Sequence, residues 1–134
     1  MFKIFDIAST GMSAQNLRLN TVASNLANVD SVAESADRAY RARSPVFREM
    51  VLGEGRDGRG VRIDSLVESQ ADVLAVYAPE NPLADDDGYV YRSNVNAVEE
   101  MANMTSASQS YRSNVEMLST VKRLMLSTLR LGQN

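Results

Sequence analysis

Between Asn94 and Leu131 the chain runs without a proline or a glycine, and apolar or small residues recur along it in steps of four and three. Ala97, Met101, Met104, Ser108, Tyr111, Val115, Leu118, Met125 and Leu129 fall on that stripe, with Lys122 as its one charged member. Such spacing predicts a single long helix whose stripe packs against another helix. Asn96, with Glu99 three positions on, reads as an N-terminal cap with a reciprocal acidic partner. Glu100 favours the positive end of the helix, and Lys122, Arg123 and Arg130 suit its negative end. At the standard rise the helix would be roughly 55 Å long, more than a small globule requires, so it needs a partner along its length.

A second segment with the same spacing lies at the other end of the chain. Phe5, Ala8, Met12, Gln15, Leu19, Val22, Leu26 and Val29 predict a helix over 4–29, about 37 Å long, in which Gly11 costs about 1 kcal/mol relative to alanine. Two such helices still leave Leu17, Met117, Leu124 and Leu126 on neighbouring faces, more apolar surface than a helical hairpin can cover. Residues 31–39 read as a connector. Beyond it the period shortens: 45–52, 61–68 and 72–77 alternate or run apolar as short strands, and Tyr89–Tyr91 forms another after the Asp87-Gly88 turn. Pro79 and Pro82 forbid regular structure between the last two. The expected fold class is α+β: long terminal helices (1–30 and 94–134) paired as a coiled coil in an inner domain, with a connector and small β-rich outer domain over 31–93.

The chain has 134 residues, 44% of them apolar, enough for one folded domain. A net charge of −3 argues against a partner bound by phosphate neutralisation. With no cysteine and no histidine, disulfides, the usual zinc ligands and the usual general base are all missing. No apolar run reaches the ~20 residues of a membrane span, and Met1–Ile7 lacks the pattern of a secretory signal. Charge is concentrated in the middle: residues 31–93 hold eight of the fourteen basic groups and twelve of the seventeen acidic ones. The ends are thus built to be covered and the middle to be wetted.

Motifs that suggest chemistry are answered by their context. Gly53-Glu54-Gly55-Arg56-Asp57-Gly58 has dinucleotide-loop spacing, but Val61-Arg62-Ile63 continues as a strand where that loop requires a helix. Asp85-Asp86-Asp87-Gly88 lacks the alternating ligands and distant glutamate of a calcium loop. Arg38, Arg41, Arg43 and Arg48 fit ion pairing or a wetted strand edge better than a nucleic-acid stripe. Met101, Met104, Met117 and Met125 fall at helical spacing as adaptable packing residues. Serines are plentiful, but none has a histidine to activate it. The expectation is a protein without enzyme activity, cofactor, metal, small-molecule substrate or nucleic-acid partner.

Three separated motifs carry a family resemblance across essentially the whole chain. Ser13-Ala14-Gln15, Arg18-Leu19-Asn20 and Val22-Ala23-Ser24-Asn25-Leu26-Ala27-Asn28 form the first. Tyr77 to Ala84 with Gly88-Tyr89-Val90, Asn94-Val95-Asn96 and Val98-Glu99-Glu100-Met101 form the second, and Ala107 to Val115 the third. In this the chain resembles the axial proteins of the bacterial flagellum, the rod and hook components. Ser31, Gln109 and Ser113 depart from that family's commoner residues.

The resemblance implies a structural subunit of the basal-body rod that crosses the periplasm, carrying torque and forming the export channel. It implies export by the flagellum's own type III apparatus, for which Phe2, Ile4 and Phe5 are a candidate signal. The implied partners are further copies of the chain, related rod proteins and the membrane-ring adaptor. Helix packing and assembly would then rest on Phe5, Met12, Leu19, Val22, Leu26, Met101, Met104, Tyr111, Val115, Leu118 and Met125. Heptad spacing alone equally suits a soluble coiled-coil adaptor that works as a regulatory dimer.

Overall fold

The computed structural model describes residues 2–53 and 58–133. In chain order the elements are α1 (Phe2–Ala27), β1 (Val32–Ala33), β2 (Arg43–Val51), β3 (Arg59–Glu68), β4 (Leu74–Tyr77), β5 (Tyr89–Arg92) and α2 (Ala97–Gly132). The fold is α+β. Helix α2 starts at Ala97, the first residue of its apolar stripe, because Asn96 caps it there. Asn96 has extended backbone (φ −96°, ψ 107°), and its side chain accepts from the Val98 and Glu99 N–H groups at 3.1 and 3.3 Å. Glu99 makes no reciprocal bond to Asn96 among the described residues, so the cap is one-sided. The connector contains a strand its sequence hides: β1 is two residues long, too short to show alternation.

The helices pack antiparallel. Arg18 donates to Asn103, and Gly11 lies so close to Asn114 that a Cβ added there would sit 3.0 Å from Asn114 Nδ2. Of the other elements, α2 touches α1 alone. The row of α2 turned toward α1 is Glu100, Ala107, Asn114 and Val121, flanked by Met104, Leu118 and Met125; Ala107 is fully buried. The small residues on both sides, Gly11 and Ala8 among them, let the backbones approach, which a methionine or tyrosine row would prevent. The level of Gly11 with Asn114 puts Phe2 near residue 123. Residues 124–132 therefore run on past the first turn of α1, an overhang of about 13 Å in which Met125 alone is half-buried.

The strands form two separate sheets. β1, β5 and β4 make an antiparallel sheet in that order at the end of the helix pair where α1 finishes and α2 begins, with Val90 buried in it. The Ser93 hydroxyl donates to the Val29 carbonyl at 2.7 Å, and Arg92 pairs with Asp30, so the exit of α1 and the entrance of α2 are tied together. β2 and β3 form a hairpin that folds back along α1, with a bulge between Val46 and Phe47. The glycine-spaced segment lies at its tip. Glu54–Asp57 are outside the described residues, but Arg59–Glu68 is a strand, which removes the helix that a dinucleotide loop needs.

Helix α1 holds the hairpin at two points. Near the tip, the Thr10 hydroxyl donates to the Ile7 carbonyl at 2.7 Å and accepts from the Val61 N–H at 3.2 Å; a Cβ on Gly60 would lie 2.7 Å from that same oxygen. At the root, the side chain of Asn25 presents its amide to Arg43 as a neighbouring strand would. Its Nδ2 donates to the Arg43 carbonyl at 2.8 Å, and its Oδ1 accepts from the Arg43 N–H at 3.0 Å and from the Tyr40 hydroxyl at 2.8 Å. Asn25 is fully buried. Asn25→Ala therefore takes the side-chain partner from the Arg43 N–H and carbonyl and leaves the Tyr40 hydroxyl with Ser24 alone, and is expected to lower the unfolding free energy by about 1–3 kcal/mol in a urea titration, with faster hydrogen exchange at the hairpin root. An unchanged midpoint would show that the hairpin is held by other means.

Candidate functional site

What the fold builds is a set of joints and faces rather than a catalytic cleft. The motif residues gather at one junction. Ser24, Asn25, Leu26, Ala27 and Asn28 end α1, while Asn94, Val95, Asn96 and Glu99 begin α2, and the hairpin root passes between the two sets. Asn94 matches Asn25 from the other side: its Oδ1 accepts from the Ala42 N–H at 2.7 Å, and its Nδ2 donates to the Ala71 and Ser69 carbonyls at 2.9 and 3.2 Å. Successive residues of the root, Ala42 and Arg43, are thus gripped by one asparagine from each helix end. Asn28 donates to the Ser24 carbonyl and Ser31 to the Asn28 carbonyl, both at 2.8 Å, closing the turn after α1. A threonine at 31 could make the same bond. Leu26 and Val95 are half-buried; Ser24, Ala27, Asn96 and Glu99 are exposed.

The proposed packing residues divide. On α1, Val22 is buried, and Phe5, Met12, Leu19 and Leu26 are half-buried. On α2, Met104, Leu118 and Met125 are half-buried on the side of α1; Tyr111, at the same seven-residue position as those three, is 38% exposed, and Met101 and Val115, on the next row round the helix, are 58 and 44% exposed. Buried contacts of α2 include residues the apolar stripe leaves out, Glu100 and Ala107 above all. Their signal is the exact seven-residue recurrence of 100, 107, 114 and 121, hidden because those positions hold an acid, an alanine, an asparagine and a valine.

Two open clefts lie between the hairpin and α2 with α1 as their floor. The larger encloses about 550 Å³ between Phe47, Arg48 and Asn114, over Gly11 and Gln15, and the amide oxygen of Gln15 is buried with no hydrogen-bond partner. The smaller places buried Glu100 beside Arg18 and Arg43. Neither assembles a nucleophile with a base. Among the described residues no group of acidic side chains is placed to hold a metal ion, and no helix is long and apolar enough to cross a membrane. Arg38, Arg43, Arg48, Arg59 and Arg62 each pair with a carboxylate of their own chain, and Arg41 donates to the Ser69 and Ala71 carbonyls.

The Pro82–Tyr91 turn is organised by Asp85. Its carboxylate accepts from the Tyr89 N–H at 2.8 Å, the Asp87 N–H at 3.0 Å and the Tyr91 hydroxyl at 3.2 Å. Gly88, at φ +85°, turns the chain back under the Tyr77 ring, where a Cβ would lie 2.9 Å from Cε2. The Tyr89 N–H contributes most to holding the Asp85 carboxyl below its ordinary value; partial burial opposes it, and the Tyr91 hydroxyl and the Asp87 and Gly88 N–H groups add to it. The bond to Asp85 and then its charge raise the Tyr91 phenol.

Comparison with known proteins decides what these joints serve. Residues 5–33 match the family described as flagella basal body rod protein, and residues 86–131 match the family described as flagellar basal body rod FlgEFG protein C-terminal. The flagellar basal-body rod protein FlgC of Salmonella typhimurium is 50% identical over 133 residues, covering 99% of this chain and 98% of that one. The chain belongs to the FlgC family of flagellar basal-body rod proteins. FlgC of Escherichia coli O6:H1 is also 50% identical, and that of Yersinia enterocolitica 47%, over the same shares of each chain. The protein is accordingly a structural rod subunit of the flagellar basal body, not an enzyme. The two family matches cover the end of α1 and the start of α2, where Asn25 and Asn94 do their bonding.

An acid limb of stability follows from Asp85. Its folded value is depressed, so its contribution is complete above its ordinary value near pH ~3.9 and is lost as the pH falls through the lower, folded one. Asp85→Asn is expected to be less stable at neutral pH and to show a shallower loss as the pH falls below the ordinary carboxylate range, measured by urea midpoints. For Tyr91 the folded value is raised, so its contribution is complete below about pH 10 and disappears as the pH rises through the higher one. Tyr91→Phe should flatten that alkaline limb.

Proposed function

We propose that this rod subunit assembles with further copies of itself, with related rod proteins and with the membrane-ring adaptor through its terminal helices. In this reading residues 1–30 and 94–134 form the inner, coiled-coil part of the rod around the export channel, and residues 31–93 face outward. The subunit reaches the rod through the flagellar type III export apparatus and there helps to carry torque. One observation supports this above others. The row of α2 facing α1 is small and polar, whereas Met101 and Val115, on a neighbouring row, are left open in a single chain. A row of that size is a packing surface for something outside the chain.

The two rows make opposite expectations. Met101→Ala combined with Val115→Ala should leave the unfolding free energy of the isolated chain within about 0.5 kcal/mol and deplete it from purified basal bodies. Ala107→Leu, which overfills the contact with α1, should destabilise the isolated chain by about 1–3 kcal/mol. Normal rods and motility with the Met101/Val115 variant would count against assembly through this face. A defined dimer that grows no further would favour an adaptor instead.

A further inference from the structure

Two exposed faces of this chain complement one another and cannot meet within it. The first is the end of α2. From Arg112 to Gly132 it carries Arg112, Lys122, Arg123 and Arg130 against the single acid Glu116, and Leu124, Leu129 and Leu131 are 62, 63 and 78% exposed on its overhang. The second is the outward face of the three-stranded sheet. Register puts Tyr77 opposite Tyr89, and Ala75 opposite Tyr91, on one side of it. The Tyr77 and Tyr89 rings meet edge to face at 5.4 Å and remain exposed. Beside them run Glu80, Asp85, Asp86 and Asp87, with no basic residue between Tyr77 and Tyr91.

The four acids and the four cations make no ion pair within the described residues, in contrast to the arginines of the hairpin. Lys122 and Arg123 stand too far from the end of α2 to serve its dipole, which fades within the last turn. The sheet lies at the first residue of α2 and the cations toward its last. Along α2 that separation is about 22 Å for Arg112, about 38 Å for Lys122 and Arg123 and about 50 Å for Arg130, each more than twice the screening length at physiological salt. Each face can be neutralised only by another molecule, and the matching sign, aromatic content and exposed leucines are on a second copy of the same chain.

We propose that the last turns of α2, residues 122–132, dock on the Tyr77/Tyr89 face of a second copy beside its Asp86–Asp87 turn. The inference rests on the self-assembly reading above and names one contact within it. Because the contact joins unlike surfaces, it is head to tail: each copy leaves one face open at either end, and the series grows until its geometry closes it or a different subunit ends it.

The cysteine-free chain makes the test direct. With Asp86→Cys and Leu129→Cys in one chain that replaces the native copy in cells, oxidation of isolated basal bodies is expected to give cross-linked multimers of this chain, absent from either single variant. A cross-link to a different protein, or none while the chain is present in the basal bodies, would overturn the contact. Charge exchange gives a second measure. Asp86→Lys with Asp87→Lys should remove the chain from basal bodies, and adding Lys122→Glu with Arg123→Glu should restore it; Asp85 is kept because it builds the turn. Undiminished incorporation of the first variant, or no recovery in the second, would also overturn the contact. Absence of the unaltered chain from basal bodies is a separate result, which would remove the assembly reading itself.

Discussion

The arrangement of this chain depends on an amide that acts as a strand. At the end of α1, Asn25 offers the backbone of Arg43 the donor and acceptor that a third strand of the hairpin would have offered, and the Tyr40 hydroxyl occupies the remaining lone pair. A buried amide that is satisfied in this way is inexpensive, whereas any other side chain at the site leaves backbone groups without partners. Asn94 repeats the device from the start of α2 one residue away. Helices made far apart in the sequence therefore converge on one dipeptide of the hairpin root, and that convergence fixes where the β structure stands relative to the helices.

Much of this could be read from the sequence where periodicity carries it. The two helices, the strands at 61–68 and 89–91 and the cap at Asn96 follow from spacing and side-chain type. Three features do not. The hairpin's place along α1 depends on Asn25, Thr10 and Gly60, single residues with no period. The two-residue strand β1 exists only because β5 is there to pair with it. The row of α2 that meets α1 is chosen by close approach at Gly11 and Ala107, so an acid and an asparagine enter the contact while Met101 and Val115 are left outside. Apolar periodicity finds a face that needs covering, but it does not say whether the cover comes from the same chain.

That separation of faces also accounts for the composition. The contact between α1 and α2 is centred on small residues with Met104, Leu118 and Met125 along its edge, while other large apolar residues of α2, Met101, Val115 and Leu124 among them, are left open. The charge follows a comparable division: arginines of the hairpin are neutralised at home, while those toward the end of α2 and the acids of the sheet turn are not. A single subunit is therefore internally balanced along its middle and unbalanced at its extremities.

The fastening of the hairpin at Thr10 as well as Asn25 has a mechanical consequence. These residues are fifteen positions apart on α1, a span of about 22 Å, and between them helix and β-ribbon run side by side. A ribbon tied at one end would swing freely; tied at both, it shares bending with the helix as the two flanges of a girder do. Flexing α1 must then shear those fastenings, so the stiffness of this part of the subunit is set by a hydroxyl and an amide rather than by the helix alone.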